Sequence, residues 1–184
     1  MKSGTPAFFT AVAMAFLFVG TATAQDDPAT VERTARAYLA AYESVDVERM
    51  MELAAEDIVF RDDSAPAGSS GGPYVFEGRD AWLSAVEGFV SENGLIDLHQ
   101  RHDLAYQSGA QMVFVGSVDA RYRAPAGGVS HFRSRIITVL TVQGGRVSRH
   151  LDIADYPGAL MEVDPTEVPA KISQDNIKPD WDTS

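Results

Sequence analysis

The sequence predicts an α+β fold in which three N-terminal helices pack on a strongly curved, mostly antiparallel β-sheet. Apolar residues recur at helical spacing in the first part of the chain, and strand-like alternation replaces that spacing in the second half. Helices followed by a run of antiparallel strands are typical of α+β proteins and not of parallel α/β sheets. Three helices on such a curved sheet leave a cone-shaped hollow that is closed at one end.

Two capped helices begin the predicted domain. Asp27 can cap a first helix over Pro28–Glu43, because proline suits the first helical position. Asp46 can cap a second helix in the same way. The apolar stripes of these two helices are Val31, Ala35, Tyr38, Leu39 and Tyr42 in the first, and Val47, Met50, Met51 and Ala54 in the second.

A strand that ends in a carboxylate follows the second helix. In Ile58-Val59-Phe60-Arg61-Asp62, alternate residues share one face, so Asp62 points inward if Ile58 and Phe60 do. A loop rich in Gly, Ser, Ala and Pro over residues 64–73 is either a surface connection or a mobile lip over the hollow. A third helix begins at Gly78-Arg79-Asp80, with Trp82, Ala85, Val86, Phe89 and Val90 on its buried face.

A β-meander occupies the second half of the chain. Strands are predicted over residues 95–107, 111–123, 131–142 and 146–153. The third is centred on a run that we expect to be buried on both faces, residues 136–140. Gly144-Gly145 is a strong hairpin signal before the last strand.

The termini predict export and a loose end. Lys2, an apolar run over residues 7–19 and Ala22-Thr23-Ala24 form the pattern of a cleaved signal peptide, residues 1–24. An uncleaved membrane anchor is the alternative, but the run is short for a bilayer span. We therefore expect a secreted or periplasmic protein with one domain over residues 25–160 and a polar tail over residues 161–184. Beyond Asp164 the tail is expected to be irregular, and it either wraps the domain or stays loose.

The composition of the chain limits the classes of binding partner that we expect. The chain has 184 residues, no cysteine and a formal net charge of −11. Nucleic acid and anionic membranes are not expected partners, because both require a basic surface. Without cysteine no disulfide can form. No third ligand accompanies His150 and Asp152 at a spacing typical of a metal site. We expect neither a metal nor a cofactor.

The order helix–helix–strand, then Phe76-Glu77-Gly78-Arg79-Asp80-Ala81-Trp82, then a meander that ends in residues 144–155, resembles the nuclear-transport-factor-2-like fold. Its SnoaL-like branch is the most similar. The resemblance implies a pocket for a small apolar organic molecule and a homodimer formed through the outer face of the sheet. Members of the superfamily include isomerases, dehydratases, cyclases and binding modules, so fold alone does not select a function.

Two sets of site residues follow from the resemblance. Tyr38 and Asp62 match the oxyanion donor and the proton-transfer base of steroid Δ-isomerases. The third isomerase residue, a protonated aspartate, has no counterpart in Arg135-Ile136-Ile137-Thr138. His150-Leu151-Asp152 matches the His-Trp-Asp motif of SnoaL-like cyclases, in which the aspartate is a general acid or base. The Trp is replaced by Leu.

The residues themselves allow simpler interpretations. Asp62 with Asp63 could begin a solvated turn, Tyr38 could be a core residue, and His150 with Asp152 could lie on a solvent-exposed strand face. His131, Arg133 and Arg135 share one strand face, where pairing with acids across the sheet is favoured over binding of an anionic ligand. Two functions remain open: a cofactor-independent proton-transfer enzyme of isomerase, dehydratase or cyclase type, and a non-catalytic ligand-binding or dimerisation module of the cell envelope.

Overall fold

The computed structural model describes residues 26–66 and 72–168 as three helices on one curved sheet. The predicted signal peptide and most of the predicted tail lie outside these residues. The helices are α1 (Pro28–Glu43), α2 (Val47–Leu53) and α3 (Arg79–Ser91). The strands are β1 (Ala54–Asp62), β2 (Tyr74–Glu77), β3 (Leu95–Ser108), β4 (Gln111–Arg123), β5 (Val129–Gln143), β6 (Arg146–Ala154) and β7 (Leu160–Asp164), with a short 3-10 turn at Tyr156–Gly158.

Side-chain caps fix where the first two helices begin, as predicted. The carboxylate of Asp27 accepts a hydrogen bond from the backbone N–H of Thr30 at 3.1 Å, and that of Asp46 accepts one from Arg49 at 3.1 Å. Each bond satisfies a backbone donor that the first turn of a helix leaves unpaired. No helix among the described residues is both long and apolar enough to cross a bilayer.

The sheet has the order β2-β1-β6-β5-β4-β3, with β7 paired to β5 beyond the end of β6. All pairs are antiparallel except β1 with β6, which run parallel. This single parallel pair brings the first strand beside the last strand of the meander. Asp62 at the end of β1 is therefore the direct register partner of Asp152 on β6.

The core lies between the inner face of the sheet and the three helices. Its largest fully buried side chains include Trp82, Tyr38, Phe114, Leu39 and Met50. The ring of Phe60 stacks on Trp82 with ring centroids 4.0 Å apart, which joins β1 to α3. Burial of such large apolar and aromatic side chains is the main favourable term in the stability of a domain of this size.

Two strands were not predicted, and one prediction about burial is wrong. Tyr74–Glu77 forms the short edge strand β2 between the predicted loop and the third helix, where no element was assigned. Leu160–Asp164 forms β7, so the sheet continues into the predicted polar tail. Residues 136–140 are not buried on both faces, since the side chain of Ile137 is 36% exposed while Thr138 and Leu140 are fully buried. The helices cover only the inner face, which leaves the apolar outer residues uncovered.

Gly116 on β4 permits a close approach of the backbone of β3. It pairs with His102, next to a register shift in β3, and a Cβ atom added there lies only 1.8 Å from the carbonyl oxygen of Arg101. Because that oxygen belongs to the backbone, it cannot move aside without shifting the strand. The glycine therefore supports the bend of the sheet at this point.

We expect Gly116→Ala to destabilise the domain by about 1–3 kcal/mol, the usual cost of forcing extra volume into a packed structure. Gly88→Ala is the control, because a Cβ atom at Gly88 in α3 meets nothing within 4 Å. Alanine should stabilise that helix by about 0.5–1 kcal/mol. Urea denaturation of the two variants measures both effects, and equal midpoints for them contradict the account.

Candidate active site

A cavity of about 390 Å³ opens inside the cone, between α1, α3 and the inner face of the sheet. Among the described residues, its lining contains two carboxylates, seven aromatic rings and five aliphatic side chains. These residues are Tyr42, Phe60, Asp62, Tyr74, Phe89, Leu95, Leu98, Val118, Ala120, Tyr122, Phe132, Asp152, Tyr156 and Met161. The volume lies in the range of small-molecule sites, about 300–1,000 Å³.

Asp62 is held on the cavity wall by neutral donors. Its Oδ1 accepts hydrogen bonds from the hydroxyl of Ser64 at 2.5 Å and from the backbone N–H groups of Ser64 and Ala65 at 3.0 and 3.1 Å. Its Oδ2 accepts the hydroxyl of Tyr156 at 2.6 Å. Asp62 does begin a turn, as one interpretation of the sequence held. That interpretation expected a solvated turn, whereas Asp62 is only 5% exposed and the turn is buried. Both of its oxygens are already hydrogen-bonded.

Tyr156 is a site residue that the sequence did not reveal. It lies in the 3-10 turn after β6, where the carboxylate of Asp155 accepts the backbone N–H of Gly158 at 3.1 Å and closes the turn. Burial raises the pKa of its hydroxyl, and the bond to Asp62 raises it further. The hydroxyl therefore remains protonated and serves as a donor. Proline and glycine directly after Tyr156 are typical of a turn, but they do not show that the turn folds back over Asp62.

Asp152 lies on the same cavity wall, and its two oxygens have different surroundings. Its Oδ1 accepts the hydroxyl of Thr138 at 2.6 Å and lies 3.2 Å from Nε2 of His150. Among the described residues no hydrogen bond reaches Oδ2. Asp152 is 4% exposed, and that small exposed surface faces the cavity. Of the two acids, Asp152 is thus the one with an oxygen that no described donor occupies.

His150 lies behind the cavity wall, in a line of polar groups that runs from α3 to Asp152. The indole N–H of Trp82 donates to the hydroxyl oxygen of Tyr38 at 2.9 Å, and that hydroxyl lies 3.3 Å from Nδ1 of His150. Because the indole can only donate, the proton of Tyr38 is free to point at Nδ1. Nε2 then carries the ring proton and faces Asp152 at 3.2 Å, although off the direction of an ideal hydrogen bond.

A bulge in β6 explains why these polar residues are buried. The pairing with β5 shifts between Thr141 and Val142, so that Val147, His150 and Asp152 all lie on the inner face. The interpretation of His150 and Asp152 as a solvent-exposed strand face is therefore wrong, since they are 0% and 4% exposed. A strict two-residue alternation places Val147 on the opposite face from them, and the bulge breaks that alternation.

The SnoaL-like domain model matches residues 35–150, more than half of the chain. The chain belongs to the SnoaL-like domain family. No curated protein matches it. The match spans α1 through His150, so it includes Tyr38, Asp62 and most of the sheet.

Solved structures similar to this SnoaL-like protein share its nuclear-transport-factor-2-like fold. A candidate SnoaL-like polyketide cyclase from Shewanella putrefaciens is 19% identical, with a TM-score of 0.59 over 72% of this chain and 93% of that one. The Δ5-3-ketosteroid isomerase from Mycobacterium sp. is 16% identical, with a TM-score of 0.58 over 72% and 98%. An epoxide hydrolase from M. tuberculosis is 13% identical, with a TM-score of 0.56 over 69% and 84%. At these identities the likeness shows the fold alone.

Tyr38 does not line the cavity of this SnoaL-like protein. Its side chain is 0% exposed and its hydroxyl is enclosed by Trp82 and His150, so the core interpretation describes its position. Tyr42, one turn later on α1, lines the cavity instead. Burial raises the pKa of Tyr42 well above its usual value, and the nearby Asp152 raises it further. The sequence placed both tyrosines on one helical stripe but could not tell which of them reaches the cavity.

His131, Arg133 and Arg135 on the outer face of β5 pair with acidic residues, as the favoured interpretation predicted. His131 lies 2.9 Å from both Asp119 and Glu167, and Arg133 donates to Asp119 at 2.9 Å. Arg135 donates to Asp103 at 2.8 Å. Within the described residues, no group of three or more His, Asp or Glu side chains is arranged to hold a metal ion.

Proposed function

We propose that the cavity binds a small, mainly apolar organic molecule and catalyses a cofactor-independent proton transfer of isomerase, dehydratase or cyclase type. The observation that carries this proposal is the register pair Asp62–Asp152, which presents two carboxylates side by side in an apolar, aromatic cavity. A carboxylate held within reach of a reacting carbon can act as a general base, because it is positioned to take up the proton directly.

Asp152 is the proposed base, because Oδ2 is its available oxygen. For an enolisable ketone, this oxygen removes a proton from the carbon next to the carbonyl, and the resulting carboxylic acid returns the proton to the same or a conjugated carbon. Atoms and charge therefore balance without a co-reactant. His150 and Thr138 act behind Asp152 as positioning residues, since both face its Oδ1. Tyr38 in turn orients the ring of His150.

Tyr42 and Tyr156 are the proposed donors to the enolate oxygen. Both line the cavity, and the raised pKa of each keeps its hydroxyl protonated. A preorganised donor aimed at a developing oxyanion is often the largest single catalytic contribution. For Tyr156 to take this role, its hydroxyl must turn from Oδ2 of Asp62 toward the substrate.

Exchange of α-protons in D₂O tests the proposal without knowledge of the natural substrate. NMR should show faster exchange or isomerisation of 3-cyclohexen-1-one and 2-tetralone with the wild-type protein than with buffer. The double variant Asp62→Asn/Asp152→Asn should lose the acceleration, while Asp63→Asn, an exposed neighbour, should keep it. Equal rates in the wild type and the double variant contradict the catalytic role and favour a non-catalytic ligand-binding module.

We propose further that the protein is exported and forms a homodimer through the outer sheet face. The signal-peptide pattern of residues 1–24 supports export. Cell fractionation with N-terminal sequencing of the mature protein tests export, and an intact Met1 in the cytoplasmic fraction contradicts it.

Exposed apolar residues on the outer sheet face support the homodimer. Ile137 and Ile153 are register partners and are 36% and 44% exposed, while Leu104 on β3 is 54% exposed. Apolar neighbours of this kind are typical of interfaces.

Ile137→Lys should turn the dimer into a monomer, because the lysine charge cannot be buried without a partner. Light scattering coupled to size exclusion measures the mass, and Val75→Lys, also exposed but on the edge strand β2, is the control. A wild-type protein that is monomeric at all concentrations contradicts this part of the proposal.

A further inference from the structure

The described lining of the cavity has acidic side chains and no basic ones. Asp62 and Asp152 are its ionisable acids, and none of the described lining residues is Arg, Lys or His. The groups that bond these acids are the hydroxyls of Ser64, Tyr156 and Thr138, together with backbone N–H groups. His150 approaches Asp152 only from behind the wall. A cleft lined by acidic groups and no described basic group concentrates cations rather than anions.

The rest of the cavity also suits a cation. Half of the fourteen lining side chains are aromatic, and four of these are tyrosines: Tyr42, Tyr74, Tyr122 and Tyr156. The faces of aromatic rings carry negative potential and attract ammonium groups. Burial raises the pKa of the Tyr122 hydroxyl as it does those of Tyr42 and Tyr156, so these rings remain neutral. An anionic ligand meets two carboxylates and finds no basic side chain among the described lining residues.

We propose that the cavity binds an organic cation, an ammonium group on an apolar body, with the charge held by Asp62 and the aromatic walls. The inference rests on the proposed function, since it assigns the ligand class of the same site. Asp62 suits the role of counter-ion because its position is fixed by hydrogen bonds to both oxygens. Asp152 then keeps Oδ2 for the proton transfer. The net charge of −11 also attracts cations at long range.

A pair of ligands with the same shape and different charge tests the inference. The probes are (3-hydroxyphenyl)trimethylammonium and its carbon analogue 3-tert-butylphenol, with 3-hydroxybenzoate as the anion, each titrated by ligand-observed NMR at low ionic strength. We expect the cation to bind at least about tenfold more tightly than the neutral analogue. The anion should not bind. This preference should fall to about twofold or less in Asp62→Asn, and Asp63→Asn should retain it.

Each other outcome counts against the inference. Equal or tighter binding of 3-tert-butylphenol to the wild-type protein overturns it and leaves the proposed small-molecule site intact. Binding of the cation that is unchanged in Asp62→Asn places the cation elsewhere and also overturns it. If neither probe binds while α-proton exchange of the neutral ketones is catalysed, the charge preference is refuted and the proton-transfer function stands. If exchange is absent as well, both proposals fail.

Discussion

Asp152→Asn is expected to lower the rate of α-proton exchange by about 10²–10⁴-fold, the usual contribution of a general base. The amide has nearly the same shape as the carboxylate and can still accept the hydroxyl of Thr138, so the fold should persist. It cannot take up a proton at the position of Oδ2. The measurement is NMR of the same enolisable ketones in D₂O, with circular dichroism to confirm that each variant is folded.

The variant Asp62→Asn distinguishes the proposed roles of Asp62 and Asp152. Because both oxygens of Asp62 are engaged by Ser64, Ala65 and Tyr156, we expect this variant to lose about tenfold or less through altered ligand position. Asp57→Asn, on the exposed part of β1, should leave the rate unchanged. A larger loss in Asp62→Asn than in Asp152→Asn reverses the assignment and makes Asp62 the base.

The fold was predictable because its signals are local. Asp27 and Asp46 cap helices through residues three positions away, and Gly144-Gly145 turns the chain between two adjacent strands. The strands β2 and β7 were missed for the opposite reason. Each is short, and each exists because a distant strand offers an open edge, β1 for the first and β5 for the second. No pattern within four or five residues encodes such pairing.

The sequence was sufficient to predict the acidic residues of the site, Asp62 and Asp152. It was not sufficient to predict which residues contact them. Alternation along β1 predicted an inward-facing Asp62, and the resemblance supplied His150 and Asp152. Their juxtaposition depends on the parallel pairing of β1 with β6, and Tyr156 reaches Asp62 from 94 residues away. The bulge in β6 also has no sequence signature that alternation could reveal, so it hid the burial of His150.

Thr138 shows how this site departs from the steroid-isomerase pattern. Residues 135–138 lack the protonated aspartate expected from that pattern, and the structure places Thr138 there, fully buried. Its hydroxyl donates to Asp152, its register partner on β6, and not into the cavity. At the position where the isomerase pattern has its protonated aspartate, Thr138 on β5 therefore helps to hold Asp152 in place. Under the proposed function, Tyr42 and Tyr156 of the cavity wall are the donors to a substrate oxygen.

A second polar cluster, away from the cavity, is expected to control stability against pH. Glu43 at the end of α1 is half-buried, and its Oε1 makes no hydrogen bond within the described part of the chain. Nε2 of His102 on β3 lies 3.9 Å from that oxygen and 3.2 Å from Oε1 of Gln100. Burial raises the pKa of Glu43 to about 8. Burial, and then the charge of Arg36, lower the pKa of His102, so His102 is no cationic partner at neutral pH.

The sign of the effect follows from proton uptake on folding. The folded pKa of Glu43 lies above its unfolded value of 4.5, so the stability it contributes is complete below pH 4.5 and is lost as the pH rises through about 8. Glu43→Gln removes this dependence. Each pKa unit corresponds to about 1.4 kcal/mol, so the variant should gain stability over the wild type between pH 4.5 and 9, by at most about 5 kcal/mol.

Urea denaturation of both proteins at half-unit steps from pH 4.5 to 9 measures this gain. His102 acts in the opposite direction, because its lowered folded pKa costs stability only as the pH falls below about 6.5. The interval above pH 7 therefore isolates Glu43. Glu87→Gln on the exposed face of α3 is the matched control and should run parallel to the wild type. A constant difference between Glu43→Gln and the wild type across the whole range shows that Glu43 is charged in the folded protein, and that its burial is relieved by a cation or by water.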